Sequence, residues 1–94
     1  MMRERFISAI AQAIAEFISR ESNRRSLITV TKVELSENDR VARIFVSVMP
    51  QDQAHAAIDF LTRNKDEARF FLKKRIKSRM LPYIEFLLDP DMGN

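Results

Sequence analysis

The sequence predicts a small α+β domain in which helices cover one face of a three-stranded sheet. Three observations predict it. Apolar residues recur every three or four positions in three segments, β-branched or alternating runs occupy three others, and the order is helix, strand, strand, helix, helix, strand. A chain of 94 residues with 46% hydrophobic content has room for one core, so residues 1–94 are read as a single domain.

The first helix is predicted from Phe6, Ile7, Ile10, Ile14, Phe17 and Ile18, which share one face, with Arg5, Glu16 and Arg20 elsewhere on the wheel. Polar residues from Glu21 to Ser26 break it. Leu27 to Leu35 contains Ile28, Thr29, Val30, Thr31 and Val33 and reads as a strand. Turn residues from Ser36 to Asp39 lead into Val41 to Val48. There Ala42, Ile44, Val46 and Val48 face one side, and Val41, Arg43, Phe45 and Ser47 face the other, so the pair is predicted to form an antiparallel hairpin. Past Pro50, Ala54, Ala57, Ile58 and Leu61 return to helical spacing. A break from Thr62 to Lys65 precedes a third helix, for which Asn64 and Glu67 are a candidate capping pair and Pro82 a stop. Tyr83 to Leu88 alternates again, with Ile84, Phe86 and Leu88 on one side, and Asp89, Pro90 and Asp91 end it.

Charge is unevenly spread. Arg63 to Arg79 holds eight basic residues against two acids, while the remaining residues hold eight against eleven. The excess is confined to one segment, which suggests a polyanionic partner. Without cysteine there is no disulfide and no thiol chemistry, and no metal or cofactor site is expected. The one histidine, His55, has no nucleophile to serve, and the one glycine, Gly93, cannot build a phosphate loop, so the chain is read as a non-enzyme without a small-molecule substrate. No apolar run spans a bilayer and no signal peptide is evident, so the expectation is a cytoplasmic protein without membrane contact.

The element order is that of a type II KH domain, an RNA-binding architecture. The residues extend the likeness. The stretch Ile28 to Ser36, then Asp39, Ala42 and Arg43 to Val48, resembles the hairpin of the bacterial ribosome-binding factor A family. Arg69, then Arg79-Met80-Leu81-Pro82, then Phe86-Leu87-Leu88-Asp89, resembles its C-terminal half, and the helix opening Arg3-Glu4-Arg5 is similar too. The resemblance implies a factor, associated with cold adaptation, that binds the small (30S) ribosomal subunit and its 16S ribosomal RNA late in maturation and supports precursor RNA processing. The small-residue kink of the family is replaced here by Thr62-Arg63-Asn64-Lys65-Asp66, which speaks against backbone clamping of nucleotides at that junction. The sequence ends soon after the last predicted strand, without the extended tail of many relatives.

On a helical wheel Arg69, Phe70, Lys73, Lys74 and Lys77 fall within about 140°, opposite Ala68, Phe71, Leu72 and Ile76. This arc is the expected centre of RNA binding, with cations neutralising phosphates and Phe70 stacking on an unpaired base. Arg75 and Arg79 reach around its edge, and Arg63, Lys65, Arg24 and Arg25 are flanking candidates. Asp66 and Glu67 argue against a phosphate at the helix start. Arg3 and Arg5 oppose the dipole of the first helix, which calls for a reason other than helix stability. Two other readings compete: a protein-interaction or dimerisation module using Arg43, Phe45, Tyr83 and Leu87 on the outer sheet face, or a generic single-stranded nucleic-acid binder. The first reading expects a monomer.

Overall fold

The structure, a computed structural model, describes residues 2–21 and 25–91. Its elements are α1 (Met2–Glu21), β1 (Leu27–Leu35), β2 (Val41–Met49), α2 (Ala54–Arg63), α3 (Lys65–Arg75) and β3 (Tyr83–Leu88), with a 3-10 turn at Gln51–Gln53 ahead of α2. This is the α+β fold, in the type II KH order, that the sequence predicts. Strand β2 is central, antiparallel to β1 from Leu27↔Met49 to Leu35↔Ala42 and parallel to β3 from Val41↔Tyr83 to Val46↔Leu88. Parallel neighbours need a crossover, and α2 and α3 supply it.

All three helices pack on one sheet face. The predicted alternation of β2 holds, with Ala42, Ile44, Val46 and Val48 buried beneath them. Ile10, Ile14, Leu61, Leu72, Ile44 and Val46 are wholly buried and tie α1, α2, α3 and β2 into one core. Each such side chain contributes roughly 1.5–3 kcal/mol.

Strand β1 does not keep a single phase. Ile28 and Val30 lean toward the core at even positions, but Val33 and Leu35 do so at odd ones. The switch occurs at a bulge: Val30 pairs with Val46 and Lys32 with Phe45, which leaves Thr31 as the extra residue. Were Thr31 drawn into the ladder, Lys32 and Glu34 would point into the core. Thr31 donates its hydroxyl to the carbonyl of Phe45 at 3.2 Å and to the carboxylate of Asp89. That hydroxyl, with the Asp91 amide, holds the Asp89 carboxyl below its ordinary pKa.

The turn from β1 to β2 is closed by Ser36 and Asn38. The Ser36 amide donates to the Val41 carbonyl at 2.9 Å and the Arg40 amide to Asn38 Oδ1 at 3.1 Å. Asp39 sits at φ 60°, in the left-handed region that Asp tolerates better than most residues. Arg3 explains its own position at the start of α1, because it pairs with the Asp39 carboxylate and donates to the carbonyls of Leu35 and Ser36, both at 3.2 Å.

Two expectations about the third helix are corrected. It ends at Arg75, not near Pro82, and Ile76 is extended (φ −121°, ψ 124°). The cause lies in the return to β3. Were the helix continuous, the Leu81 carbonyl would stand about 18 Å along the axis from Arg69. Instead residues 76–82 come back so that Leu81 and Pro82 are buried and their carbonyls meet Arg69. Nor do Asn64 and Glu67 form a capping pair. Asn64 ends α2 and starts α3, and its amide is spent on α2, donating to the Phe60 carbonyl at 2.8 Å.

Candidate nucleic-acid interface

The cations of this protein divide by what they touch. On the core side of α3, Arg75 donates to Glu16 on α1 at 2.8 Å and lies 4.6 Å from the centroid of the Phe71 ring, while Arg20 approaches the same ring at 5.5 Å. The Arg75 hydrogen bond holds the Glu16 carboxyl below its ordinary value. Phe71, expected in the core, is half-buried beneath these two guanidinium groups and 5.7 Å from Phe17.

Arg69 is equally committed. Its guanidinium donates to the Pro82 carbonyl at 3.1 Å and to the Leu81 carbonyl at 2.9 Å, and its central carbon lies 4.3 Å from the centroid of the Tyr83 ring. Among the residues expected to bind RNA it has a structural task as well: it fastens the 76–82 segment to α3. No local signal marks this, since the carbonyls come from residues twelve and thirteen positions downstream.

On the solvent side the picture reverses. Phe70 is 59% exposed, as the wheel predicts, with Lys74 Nζ 4.8 Å from its ring centroid. Lys73 is exposed beside it. Lys77, expected on the helical arc, and Arg79, expected at its edge, are exposed as well but stand on the non-helical segment after α3. Arg63 and Lys65 are exposed at the α2–α3 junction, and Arg25 is exposed ahead of β1; Arg24 lies outside the described residues. The junction turns at Asn64 with φ −106°, and Asp39 alone among the described residues has a positive φ.

Between α3, the 78–81 segment, the β1–β2 turn and the start of β3 lies a cleft of about 500 Å³. It gathers Arg40, Lys73 and Arg79 with Phe70, Met80 and Tyr83, over a floor that includes Arg69 and Leu81. Two acids, Asp39 and Asp66, also line it against the four cations Arg40, Arg69, Lys73 and Arg79, and Asp39 is already paired with Arg3. Among the described residues, Arg40, Lys73, Lys77 and Arg79 make no side-chain hydrogen bond or ion pair. Arg40, Met80 and Tyr83 join the cleft without being among the expected RNA-binding residues, Tyr83 being expected on the outer sheet face. The parallel β2–β3 pairing brings Arg40 and Tyr83 together, with the Tyr83 amide donating to the Arg40 carbonyl at 2.8 Å. Chemically, the cleft offers unspent positive charge beside open aromatic faces.

The residues expected to form an outer-sheet patch are split by the structure. Arg43 pairs with Glu85 at 3.3 Å and Lys32 with Glu34 at 3.2 Å, while Lys32 also covers Phe45, its Nζ 4.9 Å from the ring centroid. Tyr83 belongs to the cleft instead. His55 is exposed. Among the described residues no acidic, histidine or cysteine group could hold a metal ion, and no helix is long and apolar enough to cross a membrane.

This fold and this sequence match known proteins along their length. The family profile described as ribosome-binding factor A matches residues 2–94. The chain belongs to the ribosome-binding factor A family. It is 33% identical to the ribosome-binding factor A of Thermodesulfovibrio yellowstonii over 85% of its own length and 70% of that protein's. It is also 33% identical to that of Carboxydothermus hydrogenoformans, over 95% and 74%. The crystal structure of ribosome-binding factor A from Thermus thermophilus superposes with a TM-score of 0.80 at 28% identity, covering 90% of this chain and 92% of that one. Coordinates of the Thermus thermophilus factor fitted into an electron cryo-microscopy map of a 30S complex superpose with a TM-score of 0.75 at 29% identity, covering 86% and 88%.

Proposed function

We propose that this ribosome-binding factor A family member binds the small ribosomal subunit and its 16S ribosomal RNA during late maturation, and so supports processing of the precursor RNA. It acts by occupancy, as a monomer in the cytoplasm, with no bond made or broken by its own residues. The contact surface is the solvent side of α3 and the segment that follows: Phe70, Lys73, Lys74, Lys77 and Arg79, joined by Arg40. The carrying observation is that Arg40, Lys73, Lys77 and Arg79 are unspent while the cations on the opposite side of α3 are held by protein partners. Unpaired cations crowded within a few residues repel one another, and phosphate relieves that repulsion while releasing counterions. The relative seen in a 30S complex adds the particle on which such a surface would act. A dimerisation module through the outer sheet face is less favoured, because its charges already pair with each other.

The test is co-sedimentation with purified small and large subunits. Wild type is expected to pellet with the small subunit alone, with affinity falling by roughly 0.7–0.9 log units per log of salt for each phosphate neutralised. A Lys73→Glu, Lys74→Glu, Lys77→Glu variant, its fold checked by circular dichroism, is expected to stay in the supernatant. Equal pelleting of wild type and variant would remove α3 from the interface, and wild-type binding to both subunits alike would sink the assembly-factor reading.

A further inference from the structure

We propose that the cleft beside α3 is a pocket for an unpaired nucleotide of an RNA strand, with Tyr83 as the stacking platform for its base and Arg40, Lys73 and Arg79 as the seat of the flanking phosphates. This deepens the reading above and rests on it for the identity of the RNA, but not for the existence of the pocket.

Three observations converge. First, of the six large hydrophobic side chains that stand exposed among the described residues, Phe70, Met80 and Tyr83 all line this one cleft, at 59%, 70% and 62% exposure. Scattered single apolar residues are ordinary on a surface; three gathered in one concavity with two π faces are not. Second, Tyr83 is held in place from one side only. The Arg69 guanidinium stacks at 4.3 Å and is itself pinned by the Leu81 and Pro82 carbonyls, so the ring rests on a fixed plane while most of its surface stays open. A ring fixed in advance loses little freedom when a base lies against it, and the cation behind it adds to the polarisation of the stack. Third, Arg40, Lys73 and Arg79, unlike Arg69 beneath them, make no side-chain hydrogen bond or ion pair among the described residues.

Together these features select the ligand. A duplex offers phosphates but hides its base faces, so it would leave Tyr83, Phe70 and Met80 uncovered. An acidic peptide would satisfy the cations, but its Asp and Glu side chains carry no aromatic face to lay against the rings. A strand with an unpaired base satisfies both, and stacking on an aromatic ring tolerates any base, so the pocket selects single-strandedness more than sequence. The volume, about 500 Å³, is within the range of ligand clefts.

The chain supplies its own probe, because Tyr83 is its one tyrosine and it has no tryptophan. The experiment measures the excited-state lifetime of that tyrosine, and the dissociation constant, for a short single-stranded RNA and for a blunt duplex of the same sequence. Wild type, Tyr83→Phe and Tyr83→Leu are compared, and each is also co-sedimented with small subunits. Base stacking shortens the lifetime with the single strand and not with the duplex. Tyr83→Phe, which keeps the ring, binds the single strand as wild type does. Tyr83→Leu binds it about tenfold more weakly, with an unchanged salt slope because no phosphate contact is lost. An unchanged lifetime at saturation, or equal single-strand affinity of Tyr83→Leu and wild type, overturns the pocket even if wild type pellets with small subunits. The reverse result, a stacked tyrosine in a protein that ignores small subunits, keeps the pocket and overturns the assembly-factor reading.

Discussion

The outer face of the sheet and the cleft beside α3 are built from the same kinds of side chain and put them to opposite use. On the sheet, Lys32, Glu34, Arg43 and Glu85 answer one another, and Lys32 roofs Phe45. In the cleft, Arg40, Lys73 and Arg79 answer nothing, and Phe70 and Tyr83 keep most of their surface in solvent. Counting charges does not distinguish the two regions; asking what each charge already touches does. The same question divides α3 itself, whose Arg69 and Arg75 are construction while Lys73 beside them is available.

Removing a committed cation should hurt the fold, and by an amount set by what it leaves behind. The largest loss is expected for Arg69→Met, which strips two charge-assisted hydrogen bonds from the carbonyls of the buried Leu81 and Pro82. A destabilisation of about 2–3 kcal/mol is expected, read as a lower urea midpoint at constant slope; an unchanged midpoint would mean that the 76–82 segment holds without Arg69. A smaller loss is expected for Arg75→Ala, and it should depend on pH. Glu16 has a lowered pKa in the folded state, so the stability it gains from Arg75 is full above the ordinary glutamate value and fades as pH falls through the lowered one. Thermal melts of wild type and Arg75→Ala are therefore expected to differ at neutral pH and to converge in acid. The smallest effect belongs to Arg43→Ala, an exposed pair worth roughly 0.2–1 kcal/mol. Its affinity for single-stranded RNA should equal that of wild type in the same titration; a clear weakening would mean that the sheet face shares the interface.

How far the sequence discloses these features depends on their range. The strands and the buried side of β2 are legible because alternation is a local signal and one sheet face is covered. The exposure of Phe70 follows from its place on the wheel. The true end of α3 is not legible, since Ile76 to Arg79 continues a helical pattern and the competing demand comes from Leu81 and Pro82 reaching back to Arg69. Arg69 and Lys73, alike on the wheel, part company for the same reason. The meeting of Arg40 with Tyr83, which the sequence assigns to the outer sheet face, is not legible because what joins them is a parallel strand pairing across a two-helix crossover, which leaves no trace in local spacing. The change of phase in β1 is written in Ile28, Val30, Val33 and Leu35, and it goes unread when β-branched content alone is taken as the strand signal.

That change of phase bears on how this strand tolerates change. Substitutions along β1 alter one side chain at a time, but Thr31 stands outside the alternation, as a residue with no partner in the β2 ladder. Losing it would set Lys32 directly after Val30, the two still opposite Phe45 and Val46, and keep Val33 and Leu35 toward the core; drawing it into the ladder would instead turn every later position over, sending Lys32 and Glu34 inward and Val33 and Leu35 to solvent. β1 thus carries one residue more than its pairing with β2 uses, and that surplus residue marks the place where the strand could be shortened without changing which side chains face the core.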